Sequence, residues 1–213
     1  MQGRLDSPLT DRGVAQALAH GRLLEREVTV DAMWVSPAGR TRASADGINR
    51  SLKLPLHYSE HLLERDCGTW SGRTVAEIAA ADPTGWQQRQ QDPIYSRPGG
   101  GENLPDLMHR YQALQQQLPE VETLALVTHG VMAKAILAHH LNLDAEQVVA
   151  LIHPNEVVYR LDFNDEHISA SHYVAAATPA QVEFEHDGLA RPGLYLRDGS
   201  APFVARAAAS QSE

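Results

Sequence analysis

Thr123-Leu124-Ala125-Leu126-Val127-Thr128-His129-Gly130, continued by Val131 to His140, is the stretch whose reading decides the fold. Leu124 to Val127 is a short apolar run without charge, the pattern of a central strand covered on both faces of its sheet. Gly130 lets the chain turn sharply, and Val131, Met132, Ala135, Ile136 and Ala138 then supply the apolar faces of a helix. Strand, tight turn and helix put His129 at the carboxyl end of a strand, the edge of an open α/β sheet where ligands bind. A single histidine in such a place is more often structural than catalytic, so other groups have to decide its role.

Upstream, Thr10 is the expected N-cap of a first helix reaching about Leu24, with Val14, Leu18, Gly21 and Leu24 on its inner side. Ala32 to Val35 reads as a strand ended by Ser36-Pro37, and Gly39 to about Ser51 as a helix with Arg40 and Arg42 in its first turn. This order gives the fold class: α/β, a mainly parallel sheet flanked by helices. Leu54 to Tyr58 is a short strand candidate, and His61 to Gly72 a loop anchored by Trp70. Thr74 to Glu77 is a capping box, Asp82-Pro83 a stop, and Thr84 to Gly101 an irregular excursion over the site. Asn103 caps a helix whose buried face is Leu104, Leu107, Tyr111, Leu114 and Leu118. Asp144 to Gln147 caps another, and Val157 to Phe163 alternates as a strand. The reading is one domain over residues 1–180, with an irregular C-terminal extension over 181–213.

Composition narrows the function. Lysine and arginine total 18 against 27 acidic residues, a net charge of −9, which argues against nucleic acid or anionic membrane as the main partner. No apolar run approaches the ~20 residues that span a bilayer. The single cysteine, Cys67, excludes an internal disulfide and suits a reducing compartment, so the expected location is cytoplasmic.

Four groups could carry chemistry: Arg40, Glu64, Glu102 and His129. Arg40 lies where the first turn of a helix meets a strand end, so guanidinium and backbone N–H groups could face an anion together; a solvated surface charge is the equal alternative. Glu64 follows two leucines, and partial burial would favour its acid form as a proton donor; otherwise it is a loop carboxylate paired with Arg65. Pro98 to Gly101 lacks the Gly-Lys-Ser/Thr of a P-loop, and His139-His140 lacks a metal-ligand pattern because consecutive helix positions diverge.

Taken in order, Gln2-Gly3-Arg4-Leu5-Asp6-Ser7-Pro8-Leu9-Thr10, Ser36-x-x-x-Arg40, Leu63-Glu64-Arg65 with Gly68-x-Trp70-x-Gly72, Gly100-Gly101-Glu102-Asn103 and Val127-Thr128-His129-Gly130 resemble the histidine phosphatase superfamily, also called phosphoglycerate mutase-like. The resemblance implies a phosphomonoester phosphatase that needs no metal or cofactor and works through a phosphohistidine on a phosphorylated small-molecule substrate. It implies Glu64 as proton donor and His129 as a second histidine bonding the phosphoryl oxygens. Arg40 becomes the phosphate-binding arginine, with Arg4, Asn155 and Glu102 on the substrate side and Arg42 a weaker candidate.

One departure stands out. The family's first strand, ending in Arg-His-Gly with the nucleophilic histidine, has no counterpart in this sequence, and its place is near the middle of the sheet. The expectation is a chain whose N-terminus is truncated, inactive as it stands, with unpaired backbone and an apolar gap where that strand belongs. A non-catalytic module binding phosphate ligands or protein is the alternative, a mutase another, and a homodimer stays open.

Overall fold

Three strands, β1 (Ala32–Val35), β2 (Leu56–Tyr58) and β3 (Leu124–Val127), lie parallel in the order β2-β1-β3. Alternation along them sorts the two helical layers. Met33, Val35, Ala125 and Val127 point toward α1 (Asp11–Glu27) and α2 (Gly39–Leu52), packing on Ala17, Ala45 and Ile48. Trp34 and Leu126 point the other way, onto α5 (Leu104–Gln115) and α6 (Gly130–Leu141) through Leu107, Tyr111, Met132 and Ile136. The expected α/β architecture, a parallel sheet flanked by helices, is the one found. The computed structural model describes residues 1–164, 167–177, 184–196 and 204–206.

Local chemistry sets the element ends. Thr10 accepts from Gly13 N–H as N-cap of α1, Thr74 and Glu77 close a capping box on α3 (Val75–Ala81), and Asn103 and Asp106 close one on α5. The excursion expected over 84–101 is corrected in its first half. Asp82 ends α3 and accepts from Gly85 N–H, so with Pro83 in the first turn it starts α4 (Pro83–Gln91). A proline that stops one helix here opens the next.

α1 and α2 approach closely at Gly21, where an added Cβ would run into the carbonyl of Ile48. Gly21→Ala is expected to cost about 1–3 kcal/mol, because backbone rather than a movable side chain stands in the way. A urea titration in which the variant matched the parent would show that the two helices can slide apart freely.

A second, antiparallel sheet occupies the C-terminal third. β5 (His167–Ala177) pairs with β4 (Val157–Phe163), β6 (Phe184–His186), β7 (Arg191–Pro192) and β8 (Val204–Arg206). The irregular extension expected beyond residue 180 is therefore corrected over its described residues. Eleven residues of β5 give those short strands a template, and Phe184 packs on Ala19 and Ala175, fixing β6 against α1.

β3 itself departs from expectation. Read as a strand covered on both sides, it has all four residues only half-buried, whereas Met33 and Val35 of β1 are fully buried. Between β3 and β4 lies a cavity of about 1310 Å³ lined by every residue of both strands, and among the described residues the two are not hydrogen-bonded to each other.

Candidate active site

His129 follows β3 and is the N-cap residue of α6. Its ring is 7% exposed, and its Nε2 lies 2.7 Å from the hydroxyl of Ser36, a fully buried residue at the end of β1. Ser36 is held in turn by the sheet, donating its N–H to the Val127 carbonyl at 2.9 Å, while its own carbonyl accepts from Thr41 Oγ1. Burial above all, then the Arg40 guanidinium and, more weakly, Arg110, push the His129 pKa from 6.5 down to about 3, with Asp6 opposing. The imidazole is neutral at neutral pH.

Arg40 is the second residue of α2 and lines the cavity together with His129 and Glu64. Its guanidinium is not the free fork expected from sequence, because the opening loop wraps it. Nη1 donates to the Leu5 carbonyl (2.6 Å) and Asp6 Oδ1 (3.2 Å), and Nη2 to the Gly3 carbonyl (3.1 Å). Those bonds use three of the five N–H donors an arginine carries, so two remain for an anion.

Glu64 is pinned to the amino end of α6. Oε1 accepts from the N–H groups of Arg65 (2.8 Å) and Met132 (3.3 Å), and Oε2 from that of Val131 (3.3 Å). A carboxylate satisfies orphan donors there and is favoured by the helix dipole. The same contacts place Glu64 on the N–H groups two and three residues beyond His129.

The remaining expected residues divide. Asn155 lines the cavity with an exposed side chain, and its carbonyl accepts from His20 Nε2 at 2.8 Å. Glu102 and Arg4 do not line it. Glu102 accepts from Asp66 N–H (2.8 Å) and from Arg110 Nε and Nη2 (both 3.1 Å), and Arg4 reaches it at 3.4 Å. Arg42 donates to the Pro37 carbonyl and stacks 4.0 Å over the Tyr58 ring, away from His129.

Arg110 is the residue sequence reasoning missed. Its Nη1 donates to the carbonyls of His61 and Leu63, both at 2.8 Å, and of Glu60 at 3.3 Å, so with Glu102 it holds the backbone leading into Glu64. The available signal was an arginine three residues after Leu107 and one before Tyr111, beside the apolar face of α5.

A neutral histidine, an arginine with donors to spare and a fixed carboxylate at the carboxyl edge of a parallel sheet make up the polar end of an α/β protein suited to an anionic group. The chain belongs to the histidine phosphatase superfamily (branch 1), whose family model matches residues 1–175. The chain is 30% identical over 164 residues to human 6-phosphofructo-2-kinase/fructose-2,6-bisphosphatase 3, a match covering 76% of this chain and 31% of that protein. It thus spans about a third of the length of that two-activity relative. Phosphoserine phosphatase 1 of Hydrogenobacter thermophilus is 29% identical over 146 residues, covering 67% of this chain and 69% of that one. Among solved structures, a mycobacterial glucosyl-3-phosphoglycerate phosphatase in complex with VO3 superposes with a TM-score of 0.65 at 25% identity, covering 88% of each chain.

Proposed function

We propose that this site binds the phosphoryl group of a small phosphomonoester, and that hydrolysis by the phosphohistidine route proceeds there only when an Arg-His-Gly segment, absent from these 213 residues, supplies the histidine that takes the phosphoryl group. The observation that carries the reading is His129, buried, bonded to Ser36 Oγ and kept neutral by burial and by the charge of Arg40. With the Ser36 hydroxyl donating to Nε2, the ring proton sits on Nδ1, a donor for a phosphoryl oxygen. The spare N–H groups of Arg40 balance charge spreading over the equatorial oxygens, and Glu64 is the carboxyl assigned to protonate the leaving oxygen, which requires it to take up a proton against the three N–H groups that favour its ionised form.

His129 is not the attacking group in this reading, because the buried bond to Ser36 ties it in place. No Arg-His-Gly occurs among the 213 residues, so the nucleophile of the family reaction is missing from this sequence and the 213-residue chain by itself turns over negligibly. Glu102 and Arg4 serve as supports of the Glu64 loop, and Asn155 as part of the cavity rim.

Vanadate, a mimic of pentacoordinate phosphorus, tests the pocket apart from turnover. Expected are saturable vanadate binding, no measurable release of p-nitrophenol from p-nitrophenyl phosphate, and affinity about 10-fold or more weaker in Arg40→Ala, as loss of charge-assisted hydrogen bonds worth ~1.5–3 kcal/mol requires. Failure to bind vanadate would sink the phosphate pocket. Brisk hydrolysis that disappeared in His129→Ala would reverse the role given to that histidine. Transfer of phosphate between positions of phosphoglycerate, with little free phosphate released, would replace the phosphatase reading by a mutase.

A further inference from the structure

Among the described residues five buried side-chain polar atoms have no hydrogen-bond partner, and three of them, Arg65 Nε, Arg89 Nε and Ser96 Oγ, belong to the tryptophan loop and to the segment from α4 to Pro98 that packs near it. Such atoms call for an explanation, and here they cluster. Arg65 is the extreme case: it is 7% exposed, yet among the described residues no hydrogen bond or ion pair reaches its guanidinium. Glu64, its neighbour in sequence, turns its carboxylate to the start of α6 instead. The main chain on either side is clamped, since Arg110 bonds the Leu63 carbonyl at 2.8 Å, and Asp66 N–H donates to Glu102 Oε2 at 2.8 Å while its carbonyl accepts from Glu102 N–H at 2.9 Å. The cation is therefore held in place, and a charge kept out of water without a partner is costly.

A second cation faces it. Trp86 of α4 packs on Trp70, ring centroids 6.1 Å apart, and joins the apolar cluster around Cys67. Arg89 follows three residues later, so it lies on the same side of α4. Burial first and the charge of Arg65 next lower the Arg89 pKa, with Cys67 and Asp92 opposing, which makes the two guanidiniums electrostatic neighbours beside Cys67. Arg89, like Arg65, makes no hydrogen bond or ion pair among the described residues, and its Nε is buried. Arg65 lines the cavity and Arg89 is half-buried, so a small solute can reach the pair. The charges acting on His129 are those of Arg40, Asp6 and Arg110, which sets this pair apart from the phosphoryl pocket.

We propose that Arg65 and Arg89 form a second anion-binding site, distinct from the Arg40 pocket, that takes a small oxyanion, carboxylate or tetrahedral, between the two guanidiniums. Each guanidinium carries a planar fork of N–H donors suited to two oxygens of one anion, and charge-assisted bonds of this kind are strong. The anion also removes the repulsion between the two cations. Arg65 is fixed by the clamped loop and Arg89 by the Trp86 contact, so the donors are placed in advance and little ordering remains to oppose binding.

The test is calorimetric titration of the 213-residue protein, first saturated with vanadate, with sodium malonate and separately with sodium sulfate, sodium chloride holding the ionic strength constant. Expected is binding of at least one of the two with vanadate retained; malonate alone assigns a carboxylate, sulfate alone a tetrahedral anion. Affinity for that anion should fall about 10-fold or more in Arg65→Met and in Arg89→Met, as loss of charge-assisted bonds requires, and should survive in Arg40→Ala. Arg89→Met, at a half-buried position of α4, reads the same loss if Arg65→Met folds poorly. Binding of neither anion overturns the proposal. Binding that displaces vanadate one for one, or that vanishes in Arg40→Ala and persists in both Met variants, overturns it in favour of a single pocket. In chloride alone the thermal midpoint of Arg89→Met should equal or exceed that of the parent, because repulsion is relieved; a drop of several degrees would show that the pair serves the fold and overturns the proposal. If vanadate does not bind, the malonate and sulfate titrations of the parent and both Met variants are read unchanged, so this site and the phosphate pocket can fail separately.

Discussion

Arg110→Ala is expected to lower stability by about 3–5 kcal/mol, the cost of removing one partner of a mostly buried charge pair and leaving the other in place. Arg110 and Glu102 have side chains only 14% and 19% exposed, and Arg4 alone is a weak replacement at 43% exposure. The loss goes beyond the ion pair, because the carbonyls of His61 and Leu63 lose their donor as well. Arg110→Lys is expected to recover only part of it, since one ammonium cannot serve carbonyls and carboxylate in the same fork geometry. Urea titrations give the size; a change below ~1 kcal/mol in Arg110→Ala would show that water replaces the bracket. Vanadate affinity should fall along with stability, because the freed segment carries Glu64.

The second large effect is acid sensitivity. His129 is pushed down to about 3 and His140 and His153 to about 4, in each case chiefly by burial. His20 and His186 move in the same direction for the same leading reason. A histidine whose folded value lies below its ordinary 6.5 binds its proton more readily in the unfolded chain. The stability it contributes is therefore complete above about pH 6.5 and is lost as pH falls toward the folded value. Each well-buried ring then costs on the order of 1–3 kcal/mol once protonation is forced. Unfolding free energies should drop steeply between about pH 6.5 and 4. A flat profile across that window would mean that these rings take up protons in the folded protein without penalty.

What the sequence could and could not reveal follows from the range of each interaction. Thr10, Thr74 and Asn103 act on groups three residues away, so their helices were legible, and the charge-free run Leu124 to Val127 marked its strand. β5 is not legible in the sequence: Ile168, Tyr173 and Val174 are scattered among Ser, His and Ala, and beyond its hairpin with β4 it depends on three partners further along the chain. β6, β7 and β8 are two or three residues each and have no pattern apart from that template. In the site, Arg40, Glu64 and His129 are expected together and all three line one cavity. The wrapping of Arg40 by Gly3, Leu5 and Asp6 joins residues more than thirty positions apart, and nothing local announces it. Glu102 looked like a substrate-side residue because it stands in a glycine-rich turn, and only Arg110, eight positions on, reveals it as a brace.

β5 concentrates the C-terminal third of the protein onto one strand. β4, β6, β7 and β8 each use it as their partner, so none of these ladders can form before it is in place. β4 ends at Phe163 and pairs there with Ile168, so that hairpin closes locally, whereas β7 and β8 join it through the distant pairs Ser171–Pro192 and His167–Arg206 and should add later; once closed, the sheet should be lost as a unit. A protease that cuts β5 while it is open would remove β6, β7 and β8 together, leaving β4 on the retained side of the cut without its partner, and α1 would lose the Phe184 contact that covers Ala19.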